Sequence, residues 1–140
     1  MAEIDISRRK ARPEYRNIAI PDILRYRMAP PAVVSILHRI SGVLLFLVGI
    51  PFILYLFQNS ITSELSFQVY RAAVSSWLGK LVLLVLIWAF VHHLLAGIRF
   101  LTLDLHIAGE REPSALSARI VLGLTVVITL ICALLLFGLI

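Results

Sequence analysis

Long apolar runs, each interrupted by a few polar residues at helical spacing, dominate the chain. The first extends from about Ile40 to Phe57, the second from Leu81 to Leu103, and the third from Ile120 to Ile140 without one charge. A helix needs about 20 apolar residues to cross the hydrocarbon core of a bilayer. The outer runs reach or approach that length, and the middle one does so once its polar residues have partners. The expected fold class is therefore all-α integral membrane, with transmembrane helices over about 32–57, 78–106 and 117–140. An N-terminal arm, 1–31, precedes this three-helix domain, 32–140. Pro13, Pro21, Pro30 and Pro31 punctuate the arm and prevent one long helix. Pro30-Pro31 marks the boundary, because proline is tolerated in a helix's first turn. Pro51 lies within the first span and predicts a kink there, with the carbonyl of Leu47 losing its usual partner. Between the first two spans, Asn59, Ser60, Thr62 and Ser63 beside Glu64 read as turn and cap residues, and Glu64 to Ala73 as a short interfacial helix. Trp77 suits the aromatic belt at the membrane boundary.

Composition agrees with this pattern and excludes an ordinary soluble domain. Of the 140 residues, 60% are hydrophobic and 15% charged, with a mean hydropathy of +0.95. Soluble domains average about 45–50% and 25%. The net charge of +5 would suggest nucleic acid as a partner if it were spread over a soluble surface. Instead Arg8, Arg9, Lys10, Arg12, Arg16, Arg25 and Arg27 precede the first span. The first loop holds Arg71, with Lys80 at its far end; the second holds Arg111, flanked by Arg99 and Arg119. Basic residues concentrate on the cytoplasmic side, so the N-terminus and second loop are expected there and the C-terminus outside. That topology signal accounts for the charge, and no nucleic-acid partner is expected. The first 30 residues contain no apolar signal-peptide core, and Glu3, Asp5, Glu14 and Asp22 interrupt any transit-peptide pattern. The lone Cys132, deep in the third span, excludes a disulfide within the chain and reads as a small packing residue.

The chemistry lies in the polar residues that enter the membrane. Ionisable groups at that depth cost roughly 2.5–3.5 kcal/mol even on the gentler insertion scales, and they usually face a protein interior that serves a cofactor, proton path or ion. Helical spacing places Ser35, His38, Arg39 and Gly42 on one stripe of the first span. In the second span, His93, Gly97, Phe100 and Asp104 share a stripe, and His92, Ala96, Arg99 and Leu103 share its neighbour. A glycine one turn from a histidine removes bulk where a flat macrocycle or another helix approaches. An imidazole can bind iron through one ring nitrogen while the other donates to a fixed acceptor. Arg99, six residues or roughly 9 Å of rise from His93, suits a haem propionate. Against these stand plainer readings. Gly42, Gly49 and Gly97 serve equally as helix-packing contacts, and Arg39 near the surface can snorkel. His92 reads as a packing or lipid-interface residue and His106 as solvated. Gly97→Leu is expected to damage haem binding or subunit pairing more than Ala96→Leu.

Ser35-Ile-Leu-His-Arg-Ile-Ser-Gly42 and His93-Leu-Leu-Ala-Gly-Ile-Arg99, followed by Asp104, resemble the two signature stretches of the cytochrome b membrane-anchor subunit of succinate dehydrogenase (succinate:quinone oxidoreductase, respiratory complex II). The resemblance covers nearly the whole chain, including the arm with Arg12-Pro13 and the short charged turn before the third span. It implies a non-flavin subunit of a respiratory enzyme, part of a two-subunit haem-binding bundle in the bacterial cytoplasmic or mitochondrial inner membrane. His93 matches an axial ligand of haem b, the other axial histidine coming from a second, smaller anchor subunit. His38 and Arg39 match residues near the propionates, with Gly97 and Arg99 in the haem environment. Ser35, Ile36 and Arg39 match the binding residues for the substrate ubiquinone. An iron–sulfur subunit would deliver electrons from a flavoprotein subunit, where succinate is oxidised. One departure is that Phe100 stands where the family often has a second histidine. Two alternatives stay open on the residues alone: a haem-free structural anchor or assembly subunit, and a small proton or ion transporter subunit.

Overall fold

The computed structural model describes residues 20–25, 27–105 and 111–138, with side chains described outside 22–24 and 111–113. The prolines at 13 and 21 fall differently against these limits: Pro21 lies in a short helix α1, Ile20–Arg25, and Pro13 lies outside the described residues with Arg12 and His106. The first span comprises α2, Pro30–Leu44, a π-helical turn, Leu45–Gly49, and α3, Ile50–Ile61. Helix α4, Glu64–Ser75, connects it to α5, Trp77–Asp104, and α6, Arg111–Phe137, completes the chain. Three helical stretches, Pro30–Ile61, Trp77–Asp104 and Ser114–Phe137, are long and apolar enough to cross a membrane. The protein is an integral membrane helical bundle.

Local sequence explains most of the boundaries. Pro30 and Pro31 occupy the first turn of α2, where a missing N–H leaves no intrahelical bond unmade. Ser63 caps α4 reciprocally: its hydroxyl accepts from the Ser66 N–H at 3.1 Å, and the Ser63 N–H donates to the Ser66 hydroxyl at 2.9 Å. The expected interfacial helix from Glu64 is thus present and runs to Ser75. Ser76 opens α5 the same way, accepting from the Gly79 N–H at 3.0 Å. Trp77 is exposed at the start of α5, beside Phe137 from the far end of α6.

Pro51 acts through hydrogen-bond register. It cannot donate to the carbonyl four residues back, and its ring crowds that carbonyl. The helix widens into the π turn immediately before it, where the Ile50 N–H reaches the Leu45 carbonyl five residues back. The first span therefore continues through the proline to Ile61 instead of ending near Phe57.

Helix α5 packs against both α2 and α6, and these two also touch. Their shared core is made of small or slender residues, Val34, Ala96, Ala118 and Val121, with Leu95, Phe100 and Leu122 packed around them. Small residues suit helix contacts in lipid, where association depends on close backbone approach instead of expulsion of water. Many large apolar side chains, including Phe46, Leu47, Leu101 and Leu130, remain exposed on the outer faces.

This core separates two neighbouring positions. Ala96 is fully buried, whereas a Cβ built on Gly97 meets only His38 Nε2, at an ordinary 3.7 Å. Ala96→Leu should destabilise the three-helix fold itself by about 1–3 kcal/mol through overpacking. Gly97→Leu should leave that fold nearly unchanged, so its effect would show only against a partner or cofactor. Thermal unfolding of the subunit in detergent tests this; an equal drop in Tm for both variants counts against the packing described here.

Candidate functional site

Helices α2 and α5 bring His38 and His93 together. Their rings stack with centroids 4.0 Å apart and planes 12° from parallel. His93 Nδ1 lies 3.1 Å from the His38 carbonyl oxygen and 3.2 Å from Ser41 Oγ, and the Ser41 hydroxyl donates to that carbonyl at 2.9 Å. A carbonyl only accepts, so Nδ1 carries the ring proton and donates it. Nε2 then keeps the lone pair, and it has no hydrogen-bond partner among the described residues. The approach depends on Gly42: a Cβ there would lie 2.9 Å from His93 Cε1 and 3.4 Å from Nδ1. Phe100 packs edge-on against His38, with centroids 5.2 Å apart.

The remaining residues expected on this stripe take different positions. Ser35 is half-buried, while Ile36 and Arg39 are exposed on α2. Arg39 stands at one end of an open apolar groove of about 400 Å³, lined also by Ile40, Val43, Leu44, Leu47 and Val48. Asp104 is exposed at the end of α5.

A second polar seam joins α5 to α6. His92, expected as a packing or lipid-interface residue, is fully buried, with Nδ1 3.3 Å from Thr125 Oγ1 and its ring stacked on Trp88 at 5.8 Å. Thr125 donates to the Val121 carbonyl at 2.8 Å, which leaves its oxygen to accept from the imidazole. His92 Nε2 has no partner among the described residues. Arg99 is only 5% exposed and turns to the same side. Its Nε donates to Ser117 Oγ, and its Nη2 donates to both the carbonyl and the hydroxyl of Ser114, each at 3.0 Å. Six residues of helix amount to about 240° of rotation, so Arg99 and His93 face different neighbours. The structure thus unites His93 with His38 and Gly97, and sets Arg99 apart from them. Sequence reasoning gave no role to Ser41, Thr125, Ser114 or Ser117, although each is a hydroxyl spaced to face a polar residue on another span.

Among the described residues, no three His, Cys, Asp or Glu side chains converge to form a metal cage. Fold and site together define a membrane-embedded helical subunit with two imidazoles, His92 and His93, each oriented through its Nδ1. Residues 9–132 match the family described as succinate dehydrogenase/fumarate reductase transmembrane subunit, and the chain belongs to that family. It is 32% identical over 117 residues to the succinate dehydrogenase cytochrome b556 subunit of Paracoccus denitrificans, covering 84% of this chain and 89% of that one. The subunit of the same name from Coxiella burnetii is 36% identical over 85 residues, 60% of this chain and 67% of that one. The chain is accordingly a membrane anchor of complex II, a subunit of an oxidoreductase that works with partner subunits.

The Arg99 fork is a measurable part of the anchor's stability. Arg99→Met keeps the apolar stem but removes three hydrogen bonds and takes the donor from the Ser114 hydroxyl, while Ser117 keeps its bond to the Ser114 carbonyl. A loss of about 1–3 kcal/mol is expected, read as a lower unfolding temperature in detergent. An unchanged Tm would mean that lipid or water replaces those bonds at no cost.

Proposed function

We propose that this anchor binds haem b through His93 Nε2 and helps form the site where ubiquinone is reduced with electrons from the iron–sulfur subunit. The observation that carries the reading is the His93 ring itself. Metal-bound histidines almost always donate their other N–H to a carbonyl, carboxylate or water, which fixes the tautomer. His93 makes that bond to the His38 carbonyl, so its ring is already oriented as a ligand's would be. Gly42 leaves space for the imidazole, and Gly97 adds no bulk beside it. The chain's donor set therefore fits a haem that takes one axial ligand here and the other from a second, smaller anchor subunit. When bound, the haem supplies one-electron redox capacity and a rigid plane joining the two anchors. The cytochrome b556 names of both relatives support the same cofactor.

His38 and Arg39 are this chain's candidates for the propionates. Arg99, engaged with Ser114 and Ser117, is the weaker candidate of the two arginines. Ser35, Ile36 and Arg39 lie within one turn or so at the N-terminal end of the first span, where the basic arm places the cytoplasmic side. Ser35 offers a neutral donor and Arg39 a positive charge to a quinone oxygen that becomes anionic on reduction. The iron–sulfur and flavoprotein subunits would dock on that same side, in the bacterial cytoplasmic membrane or its mitochondrial counterpart.

Two experiments on the assembled complex test the reading. His93→Ala should abolish the b-type signal in a reduced-minus-oxidised spectrum, while His92→Ala, directed at Thr125, should retain it. The reverse result would transfer the ligand to His92.

Ser35→Ala and Arg39→Leu should lower quinone reduction roughly tenfold or more, with succinate oxidation by a water-soluble acceptor unchanged. Arg39→Lys should recover only part of the loss, because lysine restores the charge without the planar fork. Full quinone reductase activity in both variants would move the pocket into the partner subunits.

A further inference from the structure

We propose that Ser41 is a positioning residue for His93: with the His38 carbonyl it fixes the ring's tautomer and plane, and thereby tunes the redox potential of a haem bound there. The proposal rests on the reading of His93 as ligand. Ser41 is fully buried on the face of α2 that meets α5. Its hydroxyl proton is committed to the His38 carbonyl at 2.9 Å, so the oxygen presents lone pairs toward His93 Nδ1, 3.2 Å away. The Nδ1 proton is consequently shared between two acceptors, a carbonyl and a hydroxyl. The next residue, Gly42, admits the ring edge that any Cβ would push aside. Helix α2 thus contributes three features to one imidazole within about one turn: the His38 carbonyl, the Ser41 hydroxyl and the space at Gly42.

Acceptors on the Nδ1 proton make an imidazole a stronger electron donor through Nε2. A stronger donor favours the oxidised metal and lowers the midpoint potential, and such outer hydrogen bonds are among the protein's means of setting it. Removing the Ser41 oxygen leaves one acceptor and a less constrained ring. The lost Ser41-to-carbonyl bond acts in the opposite sense, but it reaches the ring through one more atom and is the weaker influence.

The test is redox titration and electron paramagnetic resonance of haem in the complete complex carrying Ser41→Ala or Ser41→Cys. Haem content should persist, because His93 keeps the His38 carbonyl. The midpoint potential should rise in Ser41→Ala and rise less in Ser41→Cys, whose sulfur has serine's shape but accepts weakly. The low-spin resonance of Ser41→Ala should change in anisotropy as the ring plane relaxes. Thr125→Ala, which removes the hydroxyl facing His92, should leave the potential unchanged. A wild-type potential in both Ser41 variants overturns the proposal, and so does a shift in Ser41→Ala that Ser41→Cys fully restores, since that is the mark of packing alone. Normal haem in His93→Ala would instead sink the ligand reading beneath it.

Discussion

Inside the hydrocarbon core a polar side chain has no water available, and its hydrogen-bond partner must come from protein. That constraint organises the bundle. Helix α5 carries His92, His93 and Arg99 within eight residues, and helical rotation distributes them over two faces. His93 meets the backbone and Ser41 of α2; His92 and Arg99 meet Thr125, Ser114 and Ser117 of α6. A helix with polar groups on two faces needs a neighbour on each, which makes α5 the central element. The alanines and valines between the seams follow from the same need, since short hydrogen bonds across helices require close backbones.

Each seam leaves one imidazole nitrogen without a partner among the described residues, and the two differ in what stands beside it. Arg99 is bound to α6 by three bonds, which suits a structural clasp at one end of the bundle. His93 has one nitrogen committed and one lone pair uncommitted among the described residues. Gly42 is where packing and chemistry meet: the missing Cβ that lets α2 approach α5 is also what lets the imidazole reach its carbonyl. Gly49, by contrast, has only ordinary contacts with Leu45 and Leu86, and there the packing account is sufficient.

Features set by local rules were readable from the chain. Apolar run length located the spans, the polar cluster Asn59 to Ser63 before Glu64 located the start of α4, and helical spacing grouped His38 with Gly42 on one stripe of the first span. Features set by angle or by distant pairing were not. Arg99 looked suited to His93 by rise along the helix, but rotation turns it to α6. The partnership of Ser41 with His93 spans 52 residues, so no local pattern could single that hydroxyl out from Ser35. At Pro51 the sequence marked the disturbance but not its form, because a helix can answer a missing donor by kinking or by slipping into a wider turn.

The single free nitrogen of His93 has a consequence for assembly. Under the proposed ligation the chain supplies one iron ligand, so a haem that joins two anchors binds their folded pair more tightly than either alone. By linkage, whatever binds only the assembled state stabilises it. Cofactor loading and subunit pairing then become one equilibrium. The exposed apolar faces of α2 and α5 do not oppose this, because lipid solvates them as well as a partner helix does. What selects the partner must therefore be directional. Among the described residues the directional groups in the membrane are few, and two imidazoles there have a nitrogen to spare: His92, turned to Thr125, and His93, held by Ser41 and the His38 carbonyl, which is the one the proposed ligation uses.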